Sequence, residues 1–182
     1  NDVKAKQLGY DAFPPSHIYK TEQVKIPPFL PKHPEIRAEV CNYYNSVKRA
    51  DDCVGAILKT LKESSYESNT LVIFVSDHGM PLPFAKSSLY PNGLKTPWIM
   101  KWPGKIQPKT SNKNQLISAV DFMPTLLDLL QIPIPQGIEG KSFAPLVFQK
   151  PSSGHDYIFA EFNENAGGNI FPMRAVHNKN YA

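Results

Sequence analysis

The sequence VIFVSDHG at residues 72–79 is the most informative stretch of the chain, and Lys86 follows nine residues after its aspartate. Residues 70–75 are apolar or β-branched throughout, a pattern typical of a strand buried on both faces of a sheet. The strand ends abruptly in a carboxylate, an imidazole and a glycine. Open α/β sheets bind ligands at the carboxyl ends of their strands, so the stretch predicts a site at this strand tip.

Asp77 and His78 are the candidate metal ligands at that tip. Hard divalent cations take carboxylate oxygens, and borderline ones also take imidazole nitrogens. The competing interpretation is a capping aspartate beside a surface histidine, because the Asp-His-Gly sequence is short and common. Two ligands do not complete a site, so further ligands would have to come from elsewhere.

The rest of the chain predicts an α/β layered fold. Apolar residues recur at spacings of three and four over residues 35–64, which indicates a helix that begins just after Pro34. Residues 97–102 are predicted to form a second strand, and Asp121 to be the N-cap of a helix over residues 122–131. Later strands are predicted at 157–162 and 173–181, the second at an edge or in a small separate sheet. The first 34 residues are Pro-rich and are interpreted as an irregular covering segment.

Composition excludes several classes of function. The charged fraction is 20% and the net charge is +4, with no run of like charges, so we expect no nucleic-acid partner. No apolar run approaches the roughly 20 residues that span a bilayer. Cys41 and Cys53 fall in one predicted helix about 18 Å apart, which excludes a disulfide between them. Both are expected to be inert, partly buried thiols.

Lys86 and Lys95 lie in the long loop after the strand tip. A lysine at such a place can neutralise a tetrahedral oxyanion such as sulfate or phosphate, although solvated lysines are common. His155 is one of four isolated histidines expected to be surface or capping residues, the others being His17, His33 and His177.

Taken together, an ordered series of motifs between about residues 27 and 147 resembles the sulfatase family of the alkaline-phosphatase superfamily. The matching segments are 34–55, 69–79, 86–90, 92–93, 95–97, 102–104, 120–128 and 140–142. Within the family, residues 80–83, 92–93 and 171–174 are similar to N-sulfoglucosamine sulfohydrolases, the sulfamidases of glycosaminoglycan degradation.

The resemblance implies a three-layer sandwich with a mostly parallel central sheet, followed by a small antiparallel C-terminal subdomain. Residues 1–150 would belong to the catalytic domain and residues 151–182 would begin the subdomain. It also implies hydrolysis of sulfate esters or sulfamates on sulfated sugars, by a formylglycine nucleophile and one divalent cation, usually Ca²⁺. The expected setting is periplasmic, secreted or lysosomal.

Residue roles follow from the same resemblance. Asp77 and His78 correspond to metal ligands, and Lys86 to the catalytic, sulfate-contacting cation. Lys95 would join Lys86 in substrate binding. The resemblance also assigns four more residues to the substrate side: Asn163, Glu164, Asn165 and Arg174.

The sequence also departs from the family pattern. It contains neither Cys-x-Pro-x-Arg nor Ser-x-Pro-x-Arg, the motifs in which formylglycine is made, and the Asp-Asp pair at 51–52 falls inside a predicted helix. The chain is therefore expected to be the carboxyl-side piece of a sulfatase, inactive by itself. Two alternatives remain open: a phosphodiester or phosphonate hydrolase of the same superfamily, and a non-catalytic homologue that binds sulfated glycans.

Overall fold

The computed structural model describes residue 7, residues 14–164, residue 168 and residues 170–181. It divides into two compact units, residues 1–67 and 68–182. The helices and strands are α1 (Pro34–Lys62), β1 (Val72–Val75), α2 (Pro91–Leu94), β2 (Trp98–Lys101), α3 (Phe122–Leu129), α4 (Ala144–Val147), β3 (Ile158–Glu164) and β4 (Ile170–His177). Short 3₁₀ helices lie at Thr21–Gln23, Glu67–Asn69 and Ala119–Asp121.

The first unit is one long helix covered by an extended segment, as predicted for the described part of that segment. Val24 and Leu30 of the segment are buried, as are Val40 and Cys41 of α1. The backbone of Tyr19 is held by α1, since its N–H donates to the Asn45 side chain at 2.7 Å. The covering residues therefore make specific contacts and are not a loose tail.

Helix α1 differs in two respects from the prediction. Pro34 is its first residue, where a missing N–H has no cost, and His33 is the N-cap. The predicted apolar stripe is buried only near its amino-terminal end, because Val47 and Ile57 are 47% and 67% exposed. Cys41 is buried and Cys53 exposed, and both are free thiols.

Strand β1 forms where it was predicted, but its pairing and burial differ from expectation. It pairs antiparallel with β2, Phe74 opposite Ile99, and no parallel pair occurs among the described residues. Burial on both faces is wrong for this chain, because Phe74 and Val75 are 43% and 45% exposed. The apolar sequence predicts a strand that can be buried. Whether its side chains are buried depends on which other segments pack against them.

The core of the second unit lies between β2, α3 and α4. Trp102, Leu129 and Ala144 are its buried residues, and the ring of Trp98 packs edge-on against Phe143 at 5.0 Å. Helix α3 ends two residues earlier than predicted. Gln131 takes a left-handed conformation (φ 58°), and the N–H of Ile132 reaches back to the Leu127 carbonyl at 2.9 Å, which closes the helix in a Schellman motif.

The last two strands form a separate antiparallel hairpin, which confirms the prediction of a small sheet. Glu161 pairs with Arg174, and a bulge lies between Phe162 and Glu164. The predicted boundary between domains at residues 150 and 151 stays a prediction. None of the described helices is long and apolar enough to cross a membrane.

Candidate functional site

The strand tip brings the two predicted metal ligands into contact. The carboxylate of Asp77 accepts the backbone N–H of His78 through Oδ1 at 2.9 Å, and its Oδ2 lies 3.3 Å from the imidazole Nε2. The other ring nitrogen, Nδ1, lies 2.7 Å from the carbonyl oxygen of Gly79. The Asp77 side chain is 83% exposed and that of His78 is 36% exposed.

These contacts indicate which nitrogen of the His78 imidazole is available to bind a cation. A carbonyl oxygen only accepts, so Nδ1 of His78 carries a proton and donates to Gly79. In the neutral ring, Nε2 then presents a lone pair towards Oδ2 of Asp77, and two acceptors face one another. A cation between the two atoms would relieve that opposition.

The spacing of the two acceptors suits a shared ion. Oxygen ligands lie about 2.4 Å from Ca²⁺, so two ligands at right angles are about 3.4 Å apart. The Nε2 to Oδ2 distance of 3.3 Å is close to that value. Asp77 and His78 therefore fit two neighbouring positions around one divalent cation. Within the described part of the chain, no group of three or more His, Cys, Asp or Glu side chains could hold a metal ion.

The first residues of the loop after the strand tip contact residues near its end. The N–H of Gly79 donates to the carbonyl of Gly93 at 2.9 Å. A side chain at Gly79 could not be accommodated, because its Cβ would lie 1.8 Å from the carbonyl oxygen of Asn92. Gly93 is similarly constrained, by the carbonyl oxygen of Ala85 at 2.3 Å. The two glycines thus allow backbone segments to approach more closely than any other residue would permit.

Both predicted substrate-binding lysines belong to this loop. Lys86 is exposed and follows Ala85, which is fully buried. Its backbone N–H donates to the carbonyl of Met80 at 3.1 Å. Lys95 follows α2, and its N–H donates to the carbonyl of Pro91 at 2.8 Å. The backbone at Lys86 is therefore anchored while its ammonium group remains accessible to an anion.

Two of the four predicted tail residues meet on the β3–β4 hairpin. Arg174 donates from Nη1 to Oδ1 of Asn163 at 2.9 Å, and its Nε lies 3.4 Å from Oε2 of Glu161. Glu164 takes its place opposite Ile170 in the ladder. Asn165 lies outside the described residues.

An open cleft adjoins both the loop and the hairpin. Its volume is about 500 Å³, and it is lined by Ser87, Ile170, Pro172 and Met173. Ser87 is the neighbour of Lys86, and Met173 is the neighbour of Arg174. Sequence neighbours of two residues that were predicted to be on the substrate side therefore line one cavity.

A second carboxylate–imidazole pair was missed by the sequence prediction. Nε2 of His155 lies 2.9 Å from both carboxylate oxygens of Asp121. Asp121 is 1% exposed, and it also accepts the backbone N–H groups of Ser118 and Lys141, each at 2.8 Å. The expectation that His155 is an isolated surface or capping residue is therefore wrong.

The predicted N-cap role of Asp121 is right in position and wrong in chemistry. Asp121 immediately precedes α3, but its side chain makes no capping hydrogen bond to that helix. Its oxygens instead hold Ser118, Lys141 and His155. The Ser118-x-x-Asp121 spacing before an apolar run is a recognisable turn signal, whereas the contact with His155, 34 residues along the chain, has no local signal.

Comparison with known proteins identifies the family of the chain. A family model described as Sulfatase matches residues 6–132, more than half of the sequence. An ulvan-active sulfatase of Formosa agariphila is 37% identical over 172 residues, which cover 94% of this chain and 28% of that protein. The N-sulphoglucosamine sulphohydrolase of Homo sapiens is 28% identical over 90% of this chain and 34% of its own length.

Solved structures of a sulfatase and of a phosphonate hydrolase share the fold of this chain. A 2-O GAG sulfatase shares 26% identity and a TM-score of 0.73 over 81% of this chain and 34% of its own. A phosphonate monoester hydrolase from Silicibacter pomeroyi shares 26% identity and a TM-score of 0.63 over 75% of this chain and 28% of its own. The chain belongs to the sulfatase family. It spans only about a third of the length of these relatives.

Proposed function

We propose that this chain is the carboxyl-side part of a sulfatase that hydrolyses sulfate esters or sulfamates of sulfated saccharides, with N-sulfoglucosamine as the favoured substrate. In the net reaction one water molecule is consumed, the S–O or S–N bond to the sugar breaks, and the products are inorganic sulfate and a sugar with a free hydroxyl or amine. The observation that carries the proposal is the Asp77–His78 pair, whose Oδ2 and Nε2 face each other at 3.3 Å at a strand tip.

Each part of the site has a role in this proposal. Asp77 and His78 would hold a divalent cation, most simply Ca²⁺, and the ion would supply Lewis acidity to polarise a sulfuryl oxygen. Lys86 would stabilise the negative charge that develops on the sulfuryl oxygens or the leaving group. Lys95 would add positive charge on the same loop. The nucleophile, a formylglycine, would come from a segment outside residues 1–182.

The proposal extends to the fold and the cellular setting. In the full-length protein, β1 would lie in a mostly parallel central sheet, and the layers packed on its two faces would cover Phe74 and Val75, which are exposed here. The β3–β4 hairpin would begin an antiparallel C-terminal subdomain. The protein would act in the periplasm, outside the cell or in the lysosome, where sulfated polysaccharides are degraded.

A phosphonate or phosphodiester hydrolase is the second candidate. The likeness to a phosphonate monoester hydrolase structure favours it, and the imidazole of His78 would suit a transition metal as well as it suits Ca²⁺. Lys86 can bind a tetrahedral phosphorus group as readily as a sulfuryl group. A non-catalytic binder of sulfated glycans would retain the same pair without turnover.

The test uses the full-length protein, produced together with an enzyme that makes formylglycine. Release of sulfate is measured from N-sulfoglucosamine and an O-sulfated glucosamine, and release of alcohol from an aryl phosphonate monoester. We expect the sulfated sugars to be hydrolysed with the higher kcat/KM. Preferred hydrolysis of the phosphonate would select the second candidate, and glycan binding without turnover would select the binder.

The role of Lys86 is tested in the same assay. Lys86→Ala should lower kcat about 100-fold or more, because a positioned charge at the developing anion is lost. Lys113→Ala removes an exposed lysine of another loop and serves as the matched control, with an expected change of less than twofold. Equal effects of the two substitutions would remove Lys86 from the mechanism. Residues 1–182 alone should show no turnover.

A further inference from the structure

The exposed face of the β3–β4 hairpin carries a cluster of planar polar side chains. Side chains alternate between the two faces of a strand, so Pro172 and Arg174 share one face of β4. Glu161 stands directly opposite Arg174 in the ladder, and Asn163 contacts Arg174 from the same strand as Glu161. We call Glu161, Asn163 and Arg174 the hairpin cluster.

The guanidinium at the centre of the cluster is held in one orientation. Nη1 of Arg174 donates to Oδ1 of Asn163 at 2.9 Å and to the carbonyl of Met173 at 2.8 Å. Nε lies 3.4 Å from the carboxylate of Glu161. Within the described part of the chain, no acceptor is bonded to Nη2. Two hydrogen bonds and one ion pair therefore favour one orientation of the planar guanidinium, which leaves the N–H groups of Nη2 directed away from these partners.

The charge of the cluster argues for a neutral polar ligand. The carboxylate of Glu161 balances the guanidinium of Arg174, and both side chains are more than half exposed, at 64% and 60%. A second sulfate group would therefore meet a carboxylate as well as a cation. A sugar hydroxyl both donates and accepts, so it can bind the N–H groups of Arg174 and the oxygens of Glu161 or Asn163 together.

The cluster lies next to the cleft that borders the Lys86 loop. Pro172 lines the cleft, and Arg174 lies two residues further along the same face, about 7 Å away. Ile170 and Met173 make the wall mainly apolar, which suits the C–H face of a sugar ring. Ligand sites combine such apolar walls with a few fixed polar groups that orient the ligand.

We infer that the hairpin cluster is a specificity subsite that reads uncharged hydroxyl groups of the saccharide, while the sulfuryl group lies at the Lys86 loop. The inference rests on the proposed function. It assigns Arg174 to the sugar and not to a second anionic group. Glu161 acts with Arg174 by accepting a hydrogen bond from the same sugar hydroxyl.

The test compares two substrates of the full-length enzyme, an N-sulfated disaccharide and an aryl sulfate that lacks sugar hydroxyls. Arg174→Lys keeps the charge and removes the planar fork. We expect it to raise KM for the disaccharide about tenfold more than KM for the aryl sulfate, with the effect on KM and not on kcat. Val176→Thr, further along the same face, is the control and should change neither KM more than twofold.

A desulfated disaccharide, used as a competitive inhibitor of aryl sulfate hydrolysis, gives a second readout. It should inhibit the wild-type enzyme and inhibit Arg174→Lys at least fivefold less. Equal losses on both substrates, or no loss, would overturn the inference. A wild-type enzyme that hydrolyses neither substrate would refute the proposed function instead, and is recognised before any variant is compared.

Discussion

The molecule contains two carboxylate–imidazole pairs with opposite surroundings. Asp77 and His78 are adjacent in sequence and lie at an exposed strand tip, whereas Asp121 and His155 come from distant segments and Asp121 is buried. The Asp121 carboxylate accepts two backbone N–H groups besides the imidazole. In the exposed pair, by contrast, Oδ2 of Asp77 lies 3.3 Å from Nε2 of His78, and both side chains are accessible to solvent. The buried pair is saturated with hydrogen bonds, whereas the exposed pair is the one proposed to bind a cation.

This contrast separates a structural role from a functional one. A saturated buried carboxylate holds chain segments together, and its loss leaves buried donors unpaired. A carboxylate with a free lone pair contributes little to folding and can bind a ligand. The expected effects of substitution at the two pairs are therefore opposite, large on activity at one and large on stability at the other.

The largest effect is expected for Asp77→Asn in the full-length enzyme. The amide keeps the shape but loses the negative charge that binds the cation, so kcat/KM should fall about 100-fold or more together with the bound metal content. The free energy of unfolding without metal should change by less than about 0.5 kcal/mol, since the side chain is largely exposed. Activity, metal content by mass spectrometry and denaturant unfolding in chelator are measured together.

Asp156→Asn is the matched control for that experiment, because Asp156 is also exposed. It should leave both activity and metal content within twofold of the wild type. Full metal content in Asp77→Asn would show that the strand tip is not the metal site.

A loss of stability is expected for Asp121→Ala. The substitution leaves the N–H groups of Ser118 and Lys141 and the ring of His155 without their acceptor, so the free energy of unfolding should fall by about 3 kcal/mol. Urea unfolding of the full-length protein measures it. If kcat fell 100-fold while stability was unchanged, the buried pair would be functional and the contrast would fail.

The sequence predicted the elements well because they depend on local patterns. The helical spacing over residues 35–64 places α1 within two residues of its observed ends, and the apolar run before Asp77 places β1. The partner of β1 and the contact of Asp121 with His155 depend on residues distant in sequence, for which local spacing carries no signal. The exposure of Phe74 depends on which segments cover the strand, and this too is not a local property.

The same distinction applies to the candidate site. Asp77, His78 and Lys86 are recognisable because they follow one strand in a short stretch. Glu161 joins the hairpin cluster only because the register of β3 with β4 places it opposite Arg174. The metal and substrate roles of all these residues stay predictions.

A smaller effect on stability is expected when either of two glycines, Gly79 or Gly55, is replaced by alanine, and its sign should differ between the two positions. Gly79→Ala would force a Cβ to within 1.8 Å of the Asn92 carbonyl, so the loop that carries Lys86 must shift, with an expected loss of about 2 kcal/mol in stability and a lowered kcat. Gly55→Ala, in the middle of α1, meets nothing within 4 Å. It should instead stabilise the protein by about 0.5–1 kcal/mol.

Thermal or urea unfolding of the two alanine variants gives the comparison directly. Equal effects in the two would show that the Gly79 contact is easily relaxed and that the loop does not depend on it. Unchanged kcat in Gly79→Ala would separate the closure of the loop from the position of Lys86.

The smallest effect concerns a third carboxylate, Asp52, which is neither saturated in the core nor free. Lys48 bonds to it at 2.7 Å, and the backbone N–H and hydroxyl of Ser16 donate to it from the covering segment. The hydrogen bond from Lys48, followed by those from Ser16, lowers the pKa of Asp52 from 3.8 to about 2. Asp52 thus fastens the covering segment to α1 as a charged group.

The pH dependence follows from the direction of that pKa shift. Because the folded protein binds the proton less readily than the unfolded chain, the contribution of Asp52 is fully present above about pH 4 and is lost as pH falls towards 2. Amide hydrogen exchange at Ser16 should therefore be independent of pH above 4, once corrected for intrinsic rates, and lose protection below it. Asp52→Asn should show reduced protection at neutral pH and no further loss between pH 4 and 2. An identical acid transition in that variant would assign the effect to another carboxylate, with Asp51, the second partner of Lys48, as the first to examine.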